Sequence, residues 1–228
     1  PVVHAAAPAA AAITEETAAV IVEPIQSIGG VNMAEVSFYQ SLAEDCRNKG
    51  ALLIFDEVQT GLGRTGTMWF AQYLRVKPDI ITTAKGIAGG LPLSTVLVIA
   101  ELAANIKVGD HATTFGGGPV VCAAGNAVMD ILLQPGFLEE VSRKEQAIRD
   151  GLTQFPEVIR VRGKGLLLGI ECAQPLEKFV ERCMERGLIL GSSYEKNVYR
   201  LFPPLTVTLS EIAEFLRLFE EVLYSYRS

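Results

Sequence analysis

Leu52-Leu53-Ile54-Phe55-Asp56-Glu57-Val58-Gln59 decides the reading of this chain: it is an apolar run that ends in an acid. Bulky apolar residues with no polar alternation describe a strand buried on both faces, and such strands lie inside parallel sheets. In open α/β sheets the ligand crevice forms at the carboxyl ends of the strands, so Asp56 falls where chemistry is expected. A second run, Asp79-Ile80-Ile81-Thr82-Thr83, leads into Ala84-Lys85-Gly86. That places a lysine at the end of another strand.

Working outward, residues 17–22 form a β-branched and apolar stretch stopped by Glu23-Pro24, which predicts a further strand. Gly29-Gly30 breaks the chain. Over 34–48 the residues Val36, Phe38, Tyr39, Leu42, Ala43 and Cys46 recur at helical spacing, and Lys49-Gly50 supplies a basic last turn and a stop. Beyond the loop 59–67 come a short aromatic helix, the strand at 79–83, the Lys85 turn and another apolar run at 95–100. Alternating strands and helices predict an α/β fold: a mostly parallel sheet with helices on both faces and right-handed crossovers. Long helices are predicted at 119–133, stopped by Pro135-Gly136, and at 137–155. The pattern then changes to short strands at 158–162 and 166–172, a helix around 176–186, further strands to Leu201, and a last helix from 210 to about 226. These predict a smaller C-terminal α+β domain, residues 135–228, after a larger domain at 1–134.

With 228 residues, 49% hydrophobic and 20% charged, the chain can bury a sizeable core. A net charge of −6 with scattered lysines and arginines argues against nucleic acid and anionic membranes as partners and points to small molecules. Cys46, Cys122, Cys172 and Cys183 form no C-x-x-C pair and share no ligand spacing with His4 or His111. No metal site is expected, and reduced thiols in a cytoplasmic protein are the simplest account. The alanine-rich start, residues 5–12, has no basic leader and is too short to cross a bilayer, so no targeting segment is expected.

An apolar strand followed by Asp-Glu is also how the magnesium-binding strand of a P-loop ATPase reads. That chemistry needs G-x-x-x-x-G-K-[ST], and Arg162-Gly163-Lys164-Gly165 lacks both the upstream glycine and the hydroxyl residue. Gly61-x-Gly63 and Gly116-Gly117-Gly118 do not follow a strand in the G-x-G-x-x-G register of dinucleotide sites. A lysine at a strand end beside a carboxylate fits pyridoxal 5'-phosphate better. An amine must lose its proton to form an imine, and burial near a cation lowers its pKa from about 10.4. A pyridine nitrogen stays protonated only beside an anion, and the protonated ring then acts as an electron sink.

Seven strings carry a specific resemblance: Val22-Glu23-Pro24-Ile25-Gln26, the run Phe55-Asp56-Glu57-Val58-Gln59-Thr60-Gly61-Leu62-Gly63-Arg64-Thr65-Gly66, Lys77-Pro78-Asp79-Ile80, Ala84-Lys85-Gly86, Thr114-Phe115-Gly116-Gly117, Arg162-Gly163-Lys164-Gly165-Leu166 and Pro203-Pro204-Leu205. In this order they resemble the class III pyridoxal-phosphate aminotransferases, which include acetylornithine, ornithine and 4-aminobutyrate aminotransferases. The resemblance implies a fold type I, homodimeric enzyme with active sites shared between subunits. Such an enzyme moves an amino group between an amino acid or amine donor and a 2-oxo acid. It implies that Lys85 holds the cofactor as a Schiff base and carries a proton between the substrate Cα and the cofactor. It further implies that Asp56 pairs with the pyridinium, Val58 packs on the ring, Gln59 bonds its phenolic oxygen and Thr114 reaches the phosphate of the neighbouring subunit's cofactor. Arg200 matches the position that binds a substrate carboxylate, a task suited to its bidentate fork.

Plainer roles stand beside these. A strand-end Asp often caps a turn, Gln59 and Thr114 are common turn residues, and Arg64 is better suited to bracing its own loop. A same-fold aminomutase, racemase or decarboxylase, and a non-catalytic fragment, are the alternatives in function. Two departures from the family pattern stand out. Ile28 occupies the position where ornithine and acetylornithine enzymes usually carry a glutamate that pairs with the arginine matching Arg200. The amino-terminal part of the family, with its phosphate-binding loop and ring-stacking aromatic, has no counterpart here, about half of such an enzyme by domain size. By itself the chain is expected to bind pyridoxal phosphate weakly or not at all.

Overall fold

The computed structural model describes residues 12–226, so His4 and the alanine run through Ala11 lie outside the described residues. The chain divides into two compact units. One comprises Pro1–Pro24, Ala34–Leu62 and Thr67–Gln134; the other comprises Ile25–Met33, Gly63–Gly66 and Pro135–Ser228.

The first unit is built on a sheet of β1 (Ala19–Val22), β2 (Leu52–Asp56), β3 (Ile80–Thr83) and β4 (Thr95–Val98), in that spatial order. β1 pairs with β2 and β2 with β3 in parallel, whereas β4 runs antiparallel to β3. The strict strand–helix alternation expected from the sequence fails at β4. Its link from β3 holds only a 3-10 turn, Lys85–Ala88, and a parallel return needs a dozen or more residues, usually a helix. The sheet is mixed and mostly parallel.

Helix α1 (Val36–Lys49) buries Tyr39, Leu42 and Cys46, one stripe at i, i+3 and i+7. It ends where Gly50 turns left-handed at φ 71°, a geometry that costs glycine little. The Tyr39 ring meets Phe55 of β2 edge-on at 6.3 Å, and its hydroxyl donates to the Pro24 carbonyl at 2.6 Å. Along β2, Leu53 and Phe55 are buried while Leu52, Ile54 and Asp56 are half-buried, so the run's two apolar faces are covered unequally. On the less covered face, Ile21 of β1 and Val96 of β4 are each 64% exposed. Short helices α2 (Phe70–Leu74) and α3 (Ala100–Ala103) follow, then α4 (Pro119–Leu132), whose proline starts the helix where no intrahelical N–H is needed.

The second unit holds an antiparallel sheet, β5 (Val158–Lys164), β6 (Leu167–Cys172) and β7 (Val198–Leu201), with α5 (Phe137–Leu152), α6 (Phe179–Glu185) and α7 (Leu209–Tyr224). Its core is aromatic: Phe179 lies 4.6 Å from Tyr199 and 5.5 Å from Phe219 between ring centres, and Phe155 lies 5.6 Å from Phe219. Burying each such side chain contributes about 1.5–3 kcal/mol. At the start of α7, Thr208 and Glu211 cap each other's backbone N–H groups.

Two loops that the sequence assigns to the first domain belong to the second unit. In the 63–66 loop, Arg64 donates to the carbonyls of Leu166 at 3.2 Å and Pro203 at 2.5 Å, and the Leu166 N–H returns to the Arg64 carbonyl at 2.8 Å. Burial lowers the Arg64 pKa. The 25–33 loop is held by Arg162, whose Nη1 donates to Gly30 O at 3.1 Å and Asn32 Oδ1 at 2.8 Å. No single helix among the described residues is long and apolar enough to cross a membrane.

Candidate active site

The ends of β2 and β3 form the geometric centre of the candidate site. Asp56 stands opposite Thr82 in the parallel register, and the Glu57 N–H extends the ladder to Thr82 O at 2.9 Å. Adjacent strands lie about 4.8 Å apart, so Asp56 and the chain entering Lys85 leave the sheet side by side at its carboxyl edge. Asp56 Oδ1 accepts the Val58 N–H at 3.0 Å, which turns the backbone and leaves Oδ2 without a protein donor among the described residues. Lys85 is exposed and begins the 3-10 turn at φ 50°. A left-handed residue with a Cβ costs roughly 1–2 kcal/mol, so the backbone at Lys85 is held against its preference, as at many ligand sites.

Glu57, the residue after Asp56, was not among the site residues expected from the sequence. It is only 1% exposed, and its carboxylate accepts three donors: Phe70 N–H at 2.6 Å, Ala71 N–H at 2.9 Å and the Thr60 hydroxyl at 3.3 Å. Burial pushes its pKa up, and the three hydrogen bonds only partly oppose this. Strand alternation is the signal that identifies it: with Leu53 and Phe55 facing the covered side, Glu57 must follow them inward.

Val58 and Gln59 are half-buried in the turn that follows. Thr114 lies exposed on the loop before α4 and shares no hydrogen bond with Asp56 or Gln59 among the described residues. Arg200 belongs to β7 of the second unit. Its Nε donates to Ser192 O at 2.7 Å, its Nη1 donates to the Ser27 hydroxyl at 3.2 Å, and its guanidinium sits 5.4 Å from the Phe202 ring. Among the described residues no carboxylate lies within ion-pair reach of Arg200, and the nearby Ile28 side chain is 48% exposed. The carboxylates of Glu171 and Glu195 are committed to Arg162, each at 2.8 Å, and that cation holds both below the usual carboxylate range. Among the described residues no three His, Cys, Asp or Glu side chains gather as metal ligands.

The donor set suits pyridoxal phosphate. A carboxylate with a free oxygen and a primary amine at the same edge of one sheet match the ring nitrogen and the aldehyde of that cofactor.

The family model described as Aminotransferase class-III matches residues 3–223. The chain belongs to this family. The family's fold is the fold type I architecture of pyridoxal-phosphate enzymes, and the α/β organisation here is that fold. Acetylornithine aminotransferase of Mesorhizobium japonicum is 45% identical over 210 residues, covering 90% of this chain and 52% of that protein. The mitochondrial acetylornithine aminotransferase of Alnus glutinosa is 46% identical over 199 residues, covering 86% of this chain and 44% of that protein. Among solved structures, ornithine aminotransferase from Toxoplasma gondii superposes with a TM-score of 0.87 at 32% identity, over 96% of this chain and 54% of that one. The chain spans about half the length of the curated relatives it matches.

Proposed function

We propose that the chain is the lysine-bearing part of a pyridoxal-phosphate aminotransferase that transfers an amino group from an amino acid or amine donor to a 2-oxo acid. The observation that carries this reading is the pairing of Asp56 and Lys85 at the carboxyl ends of adjacent parallel strands. When bound, the cofactor supplies an aldehyde for the amino group and a ring that withdraws electrons. Lys85 Nζ would hold it and would move a proton at the substrate Cα. Asp56 would keep the ring nitrogen protonated through its open oxygen, Val58 would pack on the ring, and Gln59 would donate to its phenolic oxygen. Thr114 would reach the phosphate of the cofactor held by a second copy, which would make the active unit a homodimer. The exposed apolar residues Phe115 of this loop, at 90%, and Val120 in the first turn of α4, at 72%, support an interface there.

Arg200 takes a substrate carboxylate. Its guanidinium is oriented by a carbonyl and a hydroxyl and neutralised by neither, so it is available to α-carboxylates throughout. The relatives named above act, by their names, on acetylornithine and ornithine; here Ile28 favours donors that present an α-carboxylate to Arg200. Cytoplasmic residence is consistent with four unpaired cysteines.

Spectroscopic titration of the intact protein with pyridoxal phosphate tests the reading. The lysine-linked cofactor band should form, vanish in Lys85→Ala, and convert to the amine form of the cofactor when an amino donor is added. A band that stays unchanged while product forms would indicate the aminomutase, racemase or decarboxylase class, and absence of any band would refute cofactor binding. An Ile28→Glu change should alter the ratio of α-amino to ω-amino donor use, and an unchanged ratio would refute the specificity argument.

A further inference from the structure

We infer that Glu57 is a positioning residue: its buried carboxylate fastens the end of β2 to the first turn of α2 and thereby fixes the directions of Asp56 and Val58. The inference rests on the cofactor roles proposed above for those two residues.

Glu57 is the last residue of β2's ladder, with its N–H on Thr82 O, and its peptide groups are shared with Asp56 on one side and Val58 on the other. Any rotation at position 57 therefore swings both neighbours. Three hydrogen bonds from α2 and the turn prevent that rotation. Oε2 takes the Phe70 N–H and the Thr60 hydroxyl, Oε1 takes the Ala71 N–H, and the Glu57 carbonyl accepts the Gly61 N–H at 3.0 Å to close the turn. Among the described residues no cation pairs with this carboxylate, so backbone dipoles and one hydroxyl carry the whole cost of burying it. Mere capping of α2 would be met by a serine or aspartate at its own N-cap, where Trp69 stands instead. Here the acceptor comes from thirteen positions upstream in the chain, beside Asp56. With five residues, α2 is too short to hold its place unaided, so anchor and anchored depend on each other.

The test compares the intact protein with Glu57→Gln, Thr60→Val and Leu74→Ala. Glutamine keeps the shape but turns one acceptor into an NH2 that faces a backbone N–H. Leu74→Ala loosens α2 from its fully buried core contact without touching the carboxylate. Hydrogen exchange on the cofactor-free proteins should show the amides of Val58 and Gln59 exchanging about tenfold faster in Glu57→Gln, the scale of losing a hydrogen bond to a charged group. Thr60→Val, which removes the longest of the three bonds, should shift them the same way by a smaller factor. Leu74→Ala should speed exchange within 70–74 and leave 58–59 at parental rates. Pyridoxal phosphate affinity should fall about tenfold in Glu57→Gln and stay parental in Leu74→Ala. Parental exchange at 58–59 in Glu57→Gln, or an equal effect in Leu74→Ala, would overturn the inference. If the parent takes up no cofactor, the proposed function fails, while the exchange data still decide the role of Glu57.

Discussion

Replacing Arg162 with methionine, which keeps the length of the stem and removes the guanidinium, should cost the protein about 3–4 kcal/mol at neutral pH. The figure follows from the surroundings of that cation. Arg162 Nε meets Glu171 Oε2 at 2.8 Å, with the two side chains only 13% and 15% exposed, so water screens the pair little. Removing one partner of such a pair typically costs about 3–5 kcal/mol, because the other charge stays buried and alone. Glu195, also at 2.8 Å, is 36% exposed and can turn to solvent, so it adds under about 1 kcal/mol. Urea unfolding followed by far-UV circular dichroism measures the difference. With a slope of about 2 kcal/mol per molar, the midpoint should fall by roughly 1.5–2 M. The effect should also depend on pH with a defined sign. Arg162 holds the folded-state pKa of both Glu171 and Glu195 below the ordinary value, so their stabilisation is complete above about 4.3, the unfolded glutamate value. It disappears as the pH falls through the lowered folded values. The gap between parent and variant should therefore narrow from pH 7 toward pH 3. A gap below about 1 kcal/mol at pH 7, or one that stays constant into acid, would refute the reasoning.

Three further outcomes are expected. The Thr83 hydroxyl is buried and has no hydrogen-bond partner among the described residues, so Thr83→Val should raise the urea midpoint by an amount equivalent to about 1 kcal/mol. Gly165 sits at φ +60°, and a Cβ there would lie 2.4 Å from Arg64 O and 2.5 Å from Thr65 Cα. Gly165→Ala should therefore lower stability by about 2 kcal/mol or more in thermal melts, and a loss of a few tenths would contradict this. Burial pushes the thiols of Cys172 and Cys183 up to about 12, so at pH 8 only about one in ten thousand is thiolate. Mass spectrometry after iodoacetamide treatment at that pH should find both unmodified in the folded protein and modified once urea unfolds it.

The parallel strands and their terminal Asp56 and Lys85 are legible in the sequence because burial leaves a local mark: consecutive apolar residues, then an abrupt polar end. Helices α1, α4, α5 and α7 are legible for the same reason, through apolar spacing and end signals such as Lys49-Gly50 and Pro135-Gly136. The direction of β4 is not, since its apolar residues look the same in either orientation and only the short link to β3 excludes the parallel one. The place of the loops at 25–33 and 63–66 in the second unit is not legible, because Arg162 and Arg64 hold them there through bonds that join residues more than a hundred positions apart. The inward direction of Glu57 is legible from the alternation of β2, but its role is not, because the N–H groups it accepts belong to Phe70 and Ala71, thirteen and fourteen positions on.

The four-stranded sheet has a practical consequence. Among the described residues β1 bonds only to β2 and β4 only to β3, so within them each outer margin offers a row of amide donors and carbonyl acceptors with no strand partner, beside Ile21 and Val96. Such margins recruit further strands from whatever chain is nearest. Concentrating this polypeptide in isolation therefore invites intermolecular sheet growth, and lysine substitutions at Ile21 and Val96 are the direct means of keeping it in solution.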